Sequence, residues 1–341
     1  MVTNIKNGVA LATEVLVMAM LGACGGGGGG SVGPVLPVIS AATIVTQVPL
    51  PSYAAGSEEL SAFSLLNAER SACGFGLLAQ STQLDNAAKN HAGYLVLNTQ
   101  QGQFETRGLP GFTGVDPAYR VLWAGYLASS TGTYGQPSES ATIVPGALVG
   151  AGTAATRVLL AAPYHLIQMF RGYREVGAST LLASTLMPAA NYAAHVFNFA
   201  SPAGTSPQLQ SGSDVLTYPC QGSSGINYRL AANEIPTPVQ GRDLVSSPVG
   251  HPIMIAVRNG NTLSITSSSL IKISTGAAIA LRAPYTKATD PTNSAYLYAN
   301  EGFVLPDVPL EPNTKYQATI SGTNDGTSFS NTFMFVTGTG G

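Results

Sequence analysis

The chain has 341 residues, enough for two ordinary domains and a leader. An apolar fraction of 45% excludes wholesale disorder, and charged residues make up only 9%, against about 25% in an average soluble domain. A formal net charge of −2, with no Lys/Arg cluster, leaves no electrostatic basis for binding nucleic acid.

Residues 1–23 carry one cation, Lys6, then an apolar stretch with small residues before Cys24. That arrangement is a secretory signal. Leu21-Gly22-Ala23-Cys24 resembles the bacterial lipobox, which implies cleavage before Cys24 and acylation of its thiol. A plain cleaved signal with an incidental cysteine is the other reading. Gly25 in place of Asp leans towards the outer membrane. Acyl chains on Cys24 would make the membrane the partner of this end, since two or more chains anchor stably. Residues 25–30 are all glycine, and residues 24–57, with Pro34, Pro37, Pro49 and Pro51, read as a tether.

Leu60, Phe63 and Leu66 have helical spacing over residues 60–70. A second helix is expected over 84–97, with Leu84, Ala87, Ala88, His91, Ala92 and Leu95 on its apolar side. His91, mid-helix among alanines, reads as a packed, hydrogen-bonded core residue. Residues 108–114 are loop. Asp116 is a suitable N-cap with Pro117 in the first turn of a third helix. Arg120 on that helix has enough donors to hold loop carbonyls. Residues 154–170 read as helical, interrupted at Pro163, and 176–179 and 193–199 as strands. Helices followed by strands predict a layered α+β domain. Gly150-Ala151-Gly152-Thr153-Ala154-Ala155 fits the dinucleotide pattern, but no parallel strand follows its helix, so the match is formal.

Five blocks in order, FSLLNAERSACGFGLL (63–78), LDNAAKNHAGYL (84–95), GLPGFTGVDPAYRVLWAGY (108–126), SES (138–140) and APYHLIQMFRGYREVG (162–177), resemble the CAP superfamily of SCP/PR-1-like secreted proteins. The resemblance covers about a third of the chain. It implies an α–β–α sandwich over 58–205 with a cleft that carries two His and two Glu in that family. Glu139 matches the first Glu and His165 the second His. Phe104 stands where the first His falls, and Ala161 and Ala162 where the second Glu falls. One Glu and one His are too few for zinc, so neither a metal nor another cofactor is expected. Glu139 and His165 are the candidate site, for ligand binding or for acid–base work with Ser138 or Ser140 as nucleophile. A buried structural pair is the alternative.

Cys73 and Cys220 remain once Cys24 is set aside. Outside the cytoplasm the two are expected to form a disulfide, with two free thiols the alternative. Residues 206–234 read as a linker. From 235 to 341 the pattern becomes β. Residues 252–257 and 263–266 flank Asn259-Gly260, a hairpin signal. Further strands are expected at 278–282, 295–298, 316–321 and 332–337. Leu310-Glu311-Pro312-Asn313-Thr314-Lys315-Tyr316 resembles the tyrosine-corner phrase of immunoglobulin-like domains, which implies an all-β sandwich. His251 reads as a loop residue.

The expected protein is α+β: a CAP-like sandwich followed by an immunoglobulin-like one, exported and lipid-anchored at the bacterial cell envelope. Its cleft would take a small apolar ligand or a segment of an envelope protein. A hydrolase using Glu139 and His165, or a purely structural surface role, are the alternatives.

Overall fold

Three N-caps set the first helices. The Ser57 hydroxyl accepts from Leu60 N–H at 3.1 Å and opens α1 (Glu58–Ala72). Ser81 opens α2 (Thr82–Asn98) in the same way. Asp116 accepts from Tyr119 N–H at 2.8 Å, with Pro117 at the first position of α3 (Pro117–Trp123). The structure, a computed structural model, describes residues 41–130, 134, 136–146, 149–292 and 296–340. The leader, Cys24 and the glycine run lie outside the described residues.

β1 (Ala79–Gln80) lies between α1 and α2. After α3 come β2 (Ser138–Pro145), α4 (Ala151–Ala161), α5 (Pro163–Phe170), β3 (Glu175–Leu182) and β4 (Tyr192–Ala200). The strands form one sheet in the order β1-β3-β4-β2, with β1 and β3 parallel and the other pairs antiparallel. β4 is buried on both faces and sorts its side chains by parity. Ala194 and Val196 pack with Ala88, Ala92 and Leu95 of α2. Phe197 and Phe199 point the other way, towards Ala62, Phe63 and Leu66 of α1. Ala193 packs with Ala151 and Ala155 of α4. Helices therefore cover both faces of the sheet. At Gly177 a Cβ would lie 2.1 Å from the backbone of Leu84 and Asp85, so α2 rests directly on β3.

The rest of the described chain is β: β5 (Val215–Tyr218), β6 (Arg229–Leu230), β7 (Val249–Gly250), β8 (Ile253–Val257), β9 (Leu263–Lys272), β10 (Ala277–Ala278), β11 (Tyr285–Thr286), β12 (Glu301–Val304), β13 (Lys315–Asn324) and β14 (Thr327–Val336). Two four-stranded sheets, β10-β9-β13-β14 and β11-β12-β8-β5, share one core containing Ile255, Phe303, Tyr316, Ile320 and Phe335. The Tyr316 hydroxyl accepts from Glu311 N–H at 2.8 Å, the bond that the tyrosine-corner phrase implies. The protein is mixed α+β.

Several local expectations are corrected. The Asn259-Gly260 turn does not join a hairpin. β8 pairs with β12 and β5, whereas β9 pairs with β13 and β10, so the chain changes sheets there. β8 is buried at all five residues and takes a neighbour on each side, while Ser-rich β9 is largely exposed. Residues 206–234, expected as a linker, supply the edge strand β5 and the buried side chains of Gln208, Tyr218 and Glu234. The tether ends early. From Thr43 the chain is held, by Thr43 N–H to Leu209 O at 2.7 Å and Val45 N–H to Gln208 Oε1 at 2.6 Å. Residues 296–298 form a turn, and the strand lies further on, at β12.

The largest hydrophobic cluster runs without a break from Phe63 and Phe170 through Tyr218 to Met254 and Phe335. A Cys73–Cys220 disulfide ties the end of α1 to the segment after β5. Among the described residues, no helix is long and apolar enough to cross a membrane.

Candidate functional site

Glu139 and His165 do not meet. Glu139 projects from β2 onto the α2 face of the sheet and is fully buried. Arg120 donates to its Oε1 at 2.8 Å, and His91 Nε2 lies 3.3 Å from the same oxygen. The amide of Asn198, oriented to accept from Ala88 N–H at 3.1 Å, donates to Oε2 at 3.3 Å. His165 points elsewhere. Its side chain is 15% exposed, and its Nδ1 lies 2.7 Å from Glu234 Oε1. The nearest link between the two is indirect: Gln168, three residues along α5 from His165, donates to the Glu139 backbone carbonyl at 2.5 Å. An acid–base pair of Glu139 with His165 is therefore not formed.

Around Glu139 the sequence builds a buried charge cluster. α2 supplies His91, α3 supplies Arg120, and the intervening loop supplies Glu105. His91 Nδ1 lies 2.9 Å from Glu105 Oε1, and Nε2 lies 3.0 Å from Gly102 O. Both ring nitrogens face acceptors, and only the doubly protonated ring donates to both. Burial alone would raise the Glu105 carboxyl. Hydrogen bonds from His91 and from the Thr113 and Gly114 N–H groups, with the Arg120 charge, hold it below the usual carboxylate range. Arg120 also donates to Gly114 O at 3.0 Å and Gln103 O at 2.9 Å, the loop-carbonyl role that its five donors suggested. Two carboxylates and an imidazole invite comparison with a metal site, but here the guanidinium supplies the cation. Among the described residues, no group of three or more His, Cys, Asp or Glu could hold an ion.

The open site lies beside His165. A cavity of about 460 Å³ runs along the outer edge of β2, where Ala141, Thr142 and Ile143 form its floor. Leu95 of α2 lines one side, and Val158, Leu159 and Ala162 of the α4–α5 pair line the other. Leu230, Ala231, Ala232, Glu234 and Tyr296 close it from the β half. Phe104 and Ile235 stand at the mouth, 71% and 75% exposed. Most of the wall is apolar. His165, Glu234 and the Tyr296 phenol are its ionisable groups, and no Lys or Arg occurs among the described lining residues.

Glu234 was missed because it falls in the stretch read as a linker. The available signal was an isolated carboxylate in Leu230-Ala231-Ala232-Asn233-Glu234-Ile235, within a chain so poor in charge. The formal dinucleotide pattern is also explained. Gly150 N–H and Gly152 N–H, at the start of α4, donate to the Glu58 carboxylate at 2.8 and 2.7 Å, so the chain's own anion fills that helix terminus. α4 leads into α5, and the strand reached after it, β3, is separated from β2 by β4. His251, expected in a loop, is 1% exposed, and burial lowers its ring to about 3.

No family model matches the chain, and no curated protein matches it. Among solved structures it is similar to an outer surface protein from Borrelia burgdorferi, at a TM-score of 0.32 and 15% identity. The match covers 42% of this chain and 92% of that one, a likeness too slight to assign a fold or a role.

The disulfide stands apart from the cavity. Cys73 is 5% exposed at the C-cap of α1, and Cys220 follows β5.

Proposed function

We propose that this chain is an exported cell-envelope protein, anchored through acyl chains on Cys24, whose cavity beside His165 takes a small apolar ligand. The observation that carries the reading is the cavity itself: about 460 Å³, largely apolar walls and an open mouth flanked by Phe104 and Ile235. Burying an eight-carbon chain there is worth roughly 6 kcal/mol before the costs of association. The helix-covered sheet agrees with the layered sandwich that the CAP resemblance implies, and Phe104 lines the cavity at the position where that resemblance places a cleft residue. The disulfide agrees with an oxidising compartment.

The test is saturable binding of the apolar fluorophore N-phenyl-1-naphthylamine to the purified chain, with Val158→Trp as the filled-cavity variant. Val158 is half-buried in the wall, so an indole there occupies the space. Saturable enhancement in the wild type and its loss in the variant is the expected result. Enhancement of equal size in both would remove the ligand-binding reading. Metabolic labelling with a radioactive fatty acid tests the anchor: Cys24→Ser loses the label and leaves the membrane fraction.

A further inference from the structure

The cavity wall has acceptors to offer and few donors. Glu234 is 4% exposed. Its Oε1 already accepts twice, from His165 N–H at 2.9 Å and from His165 Nδ1 at 2.7 Å. Its Oε2 is buried and has no hydrogen-bond partner among the described residues. A buried carboxylate oxygen with no donor is costly, because its hydration has been given up without replacement. With Nδ1 committed to Glu234, the tautomer that carries its proton there presents Nε2 as a second acceptor. Of the three side-chain amides in the wall, Gln101 is exposed to solvent and the remaining two are engaged. Gln103 donates to Glu139 O at 2.6 Å, and Asn233 donates to Asp243 Oδ1 at 3.1 Å while accepting from Leu244 N–H at 3.0 Å. The absence of Lys and Arg from the described lining leaves nothing to balance an anionic ligand.

We propose that the ligand is an amphiphile with an N–H or O–H donor at its polar end, which the Glu234 carboxylate holds while the apolar body lies against the β2 edge. This rests on the apolar-cavity reading above and narrows it to one head-group chemistry. A primary ammonium fits best, because it brings a counter-charge together with its donors. A hydroxyl supplies the donor alone. A carboxylate supplies neither and meets a like charge.

The test uses three ligands with one body, octylamine, octanol and octanoate, displacing N-phenyl-1-naphthylamine from the full chain at pH 8. The expected order of affinity is octylamine, then octanol, then octanoate, with octanoate at least tenfold weaker than octanol. Glu234→Gln keeps the Oε1 contact to His165 and supplies an amide donor of its own. It should weaken octylamine at least tenfold and bring octanol and octanoate within about threefold of each other. The wild-type series stands alone if that variant does not fold. Octanoate binding as tightly as octanol would overturn the head-group assignment and leave the apolar cavity intact. Failure of all three to displace a fluorophore that binds saturably would overturn the assignment as well, and failure of the fluorophore itself to bind would remove the underlying reading.

Discussion

The molecule holds a histidine against a glutamate in two places, and the pairs differ in almost everything else. At His91 the ring is sealed, both nitrogens face acceptors, and two carboxylates meet a guanidinium. At His165 the ring is partly exposed, one nitrogen is engaged, and the carboxylate keeps an oxygen with no partner. The first arrangement is sealed, and its one polar atom without a hydrogen bond, Arg120 Nε, is buried 3.8 Å from Glu105 Oε1. The second keeps two atoms with which to meet a ligand. Residue type and proximity alone do not separate a structural pair from a working one, whereas counting donors and acceptors does. A third histidine completes the series: His195 on β4 is fully buried, has no carboxylate, and takes only the Thr180 hydroxyl at 2.8 Å.

The contrast can be broken at its strongest point by Arg120→Ala. Removing the guanidinium leaves two buried carboxylates against one imidazole. We expect a loss of about 3–5 kcal/mol in urea unfolding. A loss below about 1 kcal/mol would mean that the sealed cluster does not hold the fold. The next effect is on pH dependence. Burial lowers the His195 ring from 6.5 to about 3. Between those values the unfolded chain binds a proton that the native state refuses. The stability contributed by His195 is therefore complete above pH 6.5 and is lost as the pH falls towards 3, by about 1.4 kcal/mol per pH unit. His195→Gln should flatten the curve of unfolding free energy between about pH 6 and pH 4 by that slope, and an unchanged slope would contradict the neutral buried ring. A smaller cost is expected for Asp116→Ala. The cap opens the helix that carries Arg120, and its loss should destabilise by about 1 kcal/mol, read from the urea midpoint. The smallest effect is expected at the open site. Glu234→Gln preserves the bond to His165 and exchanges a buried oxygen without a donor for an amide nitrogen without an acceptor, so stability should move by about 0.5 kcal/mol or less while ligand preference changes.

Much of the first half was legible in the sequence. The helices, the Asp116 cap and the core role of His91 follow from spacing and capping chemistry, which act within a few residues. The bond from Glu311 N–H to the Tyr316 hydroxyl is likewise local, since both residues lie in one seven-residue phrase. Cys73 with Cys220 was legible by arithmetic and compartment. Failures came where the partner is far along the chain. His165 meets Glu234 across 69 residues, and nothing local to either marks the other. Glu139 was singled out as a cleft residue with His165, but it is buried and its partners are Arg120 and His91, set by which face of β2 it occupies. Asn259-Gly260 is a sound turn signal, yet where the two flanking strands pair is decided by burial, which a local motif does not carry.

The covalent link between Cys73 and Cys220 encloses 147 residues of sequence separation, including all of α2 to β4. A protease that cuts once anywhere inside that span produces two polypeptides that still travel together. Nicked molecules would migrate as one species on a non-reducing gel and separate only when a thiol reagent is added, so the cut would go unseen until the bridge is opened.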